Sequence, residues 1–117
     1  MMDRRKELKS QYKDLKPDMG MYLIRCEETK KYHLETTKNL KGHMNGAAFK
    51  LETGNHPVRE LQKEWKALGK DKFSVEIAEH LEYKEDAEDS YYDQELLLMK
   101  MLWEEKLKEE GLTAYSK

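Results

Sequence analysis

Histidine, lysine and one glutamate make residues 29–50 the chemically loaded part of this chain. The stretch holds five Lys against one Glu, together with His33 and His43. Imidazole titrates near neutral pH, so His33 can serve as a base, while His43 can contact a phosphate. Lys38 and Lys41, joined by Lys100 from far along the chain, can hold a phosphate by charge alone. In an extended strand, residues two apart point the same way, so Lys31, His33 and Glu35 share one face and Tyr32 and Leu34 take the other. Glu35 is thereby the candidate metal ligand, but two His without a well-placed carboxylate make a poor site for a hard cation. The plainer expectations are surface positions for His33 and His43, a turn or helix start for His56, and a Lys100 amine that reaches to water from the edge of an apolar stripe. Cys26 is the only cysteine. An internal disulfide or a cysteine-based zinc site is therefore excluded, and Cys26 is read as a small buried apolar residue.

These side chains need rigid supports, and the apolar pattern predicts them. Residues 21–26 and 32–34 are two apolar runs, too short for helices, on either side of the polar linker 27–31, and they read as a β-hairpin. Asn45-Gly46 and Thr53-Gly54-Asn55 supply turn chemistry around a short helical piece over 47–51. Pro57 suits a first helical turn, and Val58, Leu61, Trp65 and Leu68 form an apolar stripe ended by Gly69. Residues 73–77 alternate with period two, as a half-buried third strand does. After an acidic loop over 82–90, residues 91–108 read as a long helix with Tyr92, Leu96, Met99, Trp103 and Leu107 on one stripe. Leu97, Leu98, Met101 and Leu102 widen that stripe far beyond one face, which points to core or to a self-association surface. Upstream, residues 2–16 predict a basic amphipathic helix with Leu8, Tyr12 and Leu15 at helical spacing, broken by Pro17-Asp18. The expected fold class is α+β, a small three-stranded, mainly antiparallel sheet flanked by helices. Residues 1–17 form an N-terminal helix packed on the domain, 18–110 a single domain, and 111–117 a flexible tail.

Gly20-Met21-Tyr22 followed by Tyr32-His33-Leu34-Glu35-Thr36-Thr37-Lys38-Asn39-Leu40 resembles the GIY-YIG nuclease family. The first trio stands where that family has Gly-Ile-Tyr, and the second run where it has a Val-Tyr-Ile-Gly-Ser-Thr-Lys-Asn-Leu type of segment. The resemblance continues through Leu51-Glu52-Thr53-Gly54-Asn55-His56, Leu61-Gln62-Lys63-Glu64-Trp65, Gly69 and residues 73–79, covering residues 18–107 in all. It implies a DNA-cutting constellation: a Tyr on each of the first two strands, an Arg on the next helix and a metal-binding Glu on a later one. There a base deprotonates water, a divalent cation stabilises developing charge and Arg neutralises the phosphate. Carried over residue by residue, the first Tyr is Tyr22 and the second position is His33, eleven residues on. Using Tyr32 instead needs a one-residue slip that turns Leu34 toward the site. The motif Gly position holds Glu35 and the Arg position holds His43. The metal-ligand position, three residues before Trp103, holds Lys100, whose charge repels Mg²⁺. Only Tyr22 of the four main groups is kept.

Charged residues make up 39% and hydrophobic residues 38% of the 117 positions, which suits one domain with one modest core. Residues 76–110 carry thirteen acidic residues against four Lys, so nucleic acid is a plausible partner for residues 29–50 and not for this half. No long apolar span is present, and the N-terminus is charged from Asp3 onward. A cytoplasmic protein without a membrane partner is the expectation. The expected function is a GIY-YIG-like domain, catalytically degenerate, acting as a DNA- or protein-binding module. The alternatives are an active DNA endonuclease using Mg²⁺ or Mn²⁺ on a rearranged site of Tyr22, His33, Glu35 and His43, and a homo-oligomeric interaction protein working through helix 91–107.

Overall fold

Strand β1, Met19–Cys26, is buried along nearly its whole length. A continuous apolar run of this length can be a strand only if both of its faces are covered. It turns back through residues 27–30, where Lys30 takes a left-handed conformation (φ 56°) and its N–H bonds the Cys26 carbonyl at 3.0 Å. Strand β2, Lys31–Thr37, then pairs antiparallel with β1, setting Tyr22 opposite Glu35 and Ile24 opposite His33. On the other side of β1 lies β3, Phe73–Leu81, also antiparallel. The computed structural model describes residues 17–116, so the amphipathic helix expected over 2–16 lies outside the described residues.

Among the described residues, three helices cover the sheet. Helix α1, Leu40–Thr53, and helix α2, Arg59–Leu68, close one face over Tyr22, Ile24 and Cys26. Helix α3, Asp89–Glu109, closes the other face over Met21, Leu23, Tyr32 and Leu34. Alternation along β1 thus splits the core into two clusters. The short helix expected over 47–51 is a full helix from Leu40. Asn39 caps it, accepting from the Gly42 N–H at 3.1 Å, and Leu40, Met44, Ala47 and Leu51 recur on one face. Gly42 and Gly46 each cost a helix about 1 kcal/mol, but burying Leu40 and Leu51 contributes about 1.5–3 kcal/mol apiece, so packing overrides the turn chemistry of Asn45-Gly46.

Among the described residues the sheet has four strands and is mixed, in the order β3-β1-β2-β4, where three mainly antiparallel strands were expected. The extra strand, β4, Thr113–Ala114, runs parallel to β2 and comes from the segment expected to be a flexible tail. A helix C-terminal motif explains this. Gly111 takes φ 86°, its N–H bonds the Lys108 carbonyl at 3.0 Å, and the Leu112 N–H bonds the Leu107 carbonyl at 3.0 Å. The chain is thereby turned back onto the sheet, burying Leu112 and Tyr115, and Tyr115 Oη donates to Glu64 of α2.

One close approach fixes the start of β1. The β1–β3 register shifts between Met21 and Tyr22, where Ala78 is left without a partner, and a Cβ on Gly20 would lie 2.2 Å from the Glu79 carbonyl oxygen. Backbone cannot yield as a flexible side chain can. Gly20→Ala is therefore expected to lower the unfolding free energy by about 2 kcal/mol or more, read as a lower urea midpoint, whereas an unchanged midpoint would contradict this packing.

Candidate functional site

The β1–β2 register brings Tyr22, His33 and Glu35 to one sheet face, under α1 and the segment that leads into α2. Together with His43, Lys50 and His56 they line a cavity of about 490 Å³, whose wall is kept open by the small residues Gly42, Gly46 and Ala47. Tyr32 and Leu34 belong to the opposite cluster beneath α3, so the strand places His33, not Tyr32, beside Tyr22.

Hydrogen bonds assign protons in this cavity. Burial, reinforced by the Glu35 carboxylate, pushes the Tyr22 phenol far above its ordinary range. Tyr22 therefore stays protonated and donates to His43 Nδ1 at 2.9 Å, which directs Nε2–H of that ring away from Tyr22. A phenol held this way is a donor and a poor base. Glu35 lies 2.7 Å from His33 Nε2. That hydrogen bond holds the Glu35 carboxyl below its ordinary value, against the opposing effect of burial. The carboxylate is thus an acceptor, and His33 donates through Nε2. His56 Nδ1 accepts from the Val58 N–H at 3.1 Å, which puts its ring proton on Nε2, and its ring meets His33 edge-on at 5.8 Å between centroids. Burial, followed by the charges of His33 and Lys50, pushes the His56 imidazolium toward deprotonation.

The other expected residues are placed differently. Lys38 pairs with Asp93 of α3 at 2.8 Å and does not line the cavity. Lys41, exposed in the first turn of α1, does not line it either. Lys100 sits on the far-side helix α3, 3.9 Å from Glu104, yet its charge reaches Glu35. Lys50 and His56 are site residues that the sequence did not single out. Lys50 lies two helical turns beyond His43, a spacing visible only once α1 is known to begin at Leu40. His56 does serve the turn as expected, through its bond to Val58, and lines the cavity as well.

A divalent cation fits these residues badly. Among the described residues, no three His, Cys, Asp or Glu side chains are grouped so as to hold a metal ion. Glu35, the candidate ligand, has a lone carboxylate already engaged by His33. What the cavity offers is a set of donors, the Nε2–H groups of His43 and His56 and the Lys50 ammonium, suited to an oxyanion.

Two solved structures of the catalytic domain of the homing endonuclease I-TevI, an intron endonuclease, match this fold. The first, of a mutant form, gives a TM-score of 0.63 at 19% identity and covers 85% of this chain and 92% of that one. The second gives 0.62 at 19% identity, covering 85% and 99%. The fold is GIY-YIG-like. It is therefore a nuclease-like domain in architecture, as Gly20-Met21-Tyr22 and the run beginning at Tyr32 imply. No protein-family model matches the sequence, and no curated protein does. No helix among the described residues is long and apolar enough to cross a membrane.

The buried neutral His56 sets a pH dependence. Its folded pKa lies below the ordinary 6.5, so the unfolded chain binds more protons as pH falls through that value. Stability is then full above about pH 6.5 and declines toward the folded pKa. Urea midpoints measured between pH 7.5 and 5 are expected to fall more steeply for the natural chain than for His56→Gln, and parallel slopes would contradict the assignment.

Proposed function

We propose that this GIY-YIG-like domain binds nucleic-acid phosphate in the Tyr22–His43–Lys50–His56 cavity and does not perform metal-dependent cleavage. The observation that carries this is the commitment of the cavity's carboxylate: Glu35 is engaged by His33 Nε2 at 2.7 Å, and Lys100 stands in the sequence where the family resemblance calls for a metal-binding Glu. A site short of carboxylate ligands holds a hard divalent cation poorly, while its N–H donors still attract a phosphate. The donor set supports the same reading. Tyr22 orients His43, the bond to Val58 orients His56, and Lys50 supplies a full positive charge at the rim. Tyr22 keeps its proton, which removes it as a base for an attacking water. DNA is the partner this reading favours. Both nuclease-domain neighbours share the fold, and Lys41 and Lys50 lie on α1, the helix that walls the cavity.

The test combines binding and cutting. Fluorescence anisotropy with a short labelled DNA duplex in EDTA is expected to show binding that weakens steeply with salt. Lys50→Glu should weaken it about tenfold, a loss of about 1.4 kcal/mol. A supercoiled plasmid incubated with Mg²⁺ or Mn²⁺ is expected to stay intact. Nicking that disappears in Tyr22→Phe would overturn the proposal in favour of an active endonuclease, and the absence of DNA binding would overturn it as well.

A further inference from the structure

The cavity holds one group that phosphate binding does not use. His33 gives its Nε2 to Glu35 at 2.7 Å, so in the uncharged ring the lone pair lies on Nδ1. Among the described residues nothing bonds to that Nδ1, and it is not sealed from solvent, because the one sealed and unpartnered side-chain atom there is Nε of Arg25. The His33 side chain is only 8% exposed and lines the cavity of about 490 Å³, so the solvent that reaches Nδ1 is that of the cavity. An imidazole whose other nitrogen is held by a carboxylate is set up as a general base, with the carboxylate fixing tautomer and orientation.

Donors stand beside this base. His43 and His56 both commit Nδ1, one to the Tyr22 hydroxyl and the other to the Val58 N–H, and Lys50 adds an exposed ammonium. The His56 ring meets His33 edge-on at 5.8 Å between centroids, close enough for one ribose–phosphate unit to touch both. What the cavity lacks then selects the reaction. Among the described residues that line it none is Ser, Thr or Cys, and Tyr22 keeps its proton, so the protein offers no nucleophile. No three described His, Cys, Asp or Glu side chains are grouped to hold a metal ion that would generate hydroxide. A base with phosphate donors and no nucleophile suits a substrate that carries its own. RNA does so: each 2′-hydroxyl is tethered beside the phosphorus it attacks, which makes the attack intramolecular.

We propose that this cavity cleaves RNA without a metal, by transphosphorylation with His33 Nδ1 as the general base. The inference rests on the phosphate reading of the same cavity. Nδ1 takes the proton of the 2′-hydroxyl, and the 2′-oxygen bonds to phosphorus. The bond from phosphorus to O5′ breaks, its electron pair stays on O5′, and O5′ takes a proton from the Lys50 ammonium. The products are a 2′,3′-cyclic phosphate and a 5′-hydroxyl, and His33 and Lys50 regain their protonation by exchange with water. The Nε2–H groups of His43 and His56 stabilise the charge that grows on the non-bridging oxygens. Glu35 is a positioning residue that acts through His33. DNA has no 2′-oxygen, so it is bound and left whole.

The test uses a labelled single-stranded RNA, the same sequence with every 2′-oxygen methylated, and the same sequence as DNA, each incubated with the full chain in EDTA. Anisotropy of the methylated and DNA strands reports binding in parallel. Expected are binding of both and cleavage of the unmodified RNA alone, leaving 2′,3′-cyclic phosphate ends. His33→Gln should slow cleavage about a hundredfold or more while it binds the methylated strand as the natural chain does. Glu35→Gln should lower kcat about tenfold or more with KM unchanged. Intact RNA beside normal binding of the methylated strand would overturn this proposal and leave the phosphate reading standing, whereas no binding of any strand would overturn both. Cleavage of the methylated strand, or cleavage undiminished in His33→Gln, would also overturn it. The methylated strand needs no variant, so it decides the outcome even if His33→Gln does not fold.

Discussion

Everything in this molecule depends on β1 being buried on both faces. A strand in that position must send alternate side chains into different environments, so its pairing register carries the fold and the site together. With Tyr22 opposite Glu35 and Ile24 opposite His33, the polar groups meet α1 and α2 while Met21, Leu23, Tyr32 and Leu34 meet α3. A slip of one residue would put Leu34 into the cavity and His33 and Glu35 beneath α3, where nothing apolar could satisfy them. The contact of the Gly20 backbone with Glu79, beside the unpaired Ala78, pins that register at its open end. At the far end the β2 edge is held by β4, through the Tyr115 N–H bond to the Tyr32 carbonyl at 2.9 Å.

Given that register, the chemistry follows from proton positions. Four polar rings share one cavity, and each has a defined role because a neighbour fixes it. Burial keeps the proton on Tyr22, Tyr22 fixes His43, Glu35 fixes His33, and the Val58 backbone fixes His56. Such an arrangement is preorganised to donate hydrogen bonds. It is poorly organised to ligate a hard cation, because its one carboxylate is committed to His33. The nuclease-like architecture and the donor-rich site are thus separable properties, as expected when chemistry resides in side chains and not in the fold.

Much of this was readable from residue order. The hairpin, α2 with its Gly69 end, the third strand and α3 all follow from local apolar periodicity, and period two was enough to choose His33 over Tyr32. What was not readable required long-range contacts. Asn45-Gly46 has turn chemistry, and only the cap at Asn39 together with burial of Leu40 and Leu51 makes it helical. Lys50 was missed for the same reason. Residues 111–116 are too few to show a period, and their attachment depends on a backbone motif at Gly111 and on the Tyr115–Glu64 contact 51 residues apart in sequence. Lys38 was assigned to phosphate by its neighbourhood in sequence, but Asp93, from the distant α3, takes its charge.

The central claim is that the cavity selects an oxyanion over a divalent cation. Imidazole NMR of His33, His43 and His56 reads this directly, with MnCl₂ and inorganic phosphate titrated separately into the full chain. The account predicts that phosphate shifts the His43 and His56 ring resonances and that Mn²⁺ broadens none of the three beyond its effect on exposed His80. Selective broadening of His33 and His43 by Mn²⁺, with no response to phosphate, would contradict it.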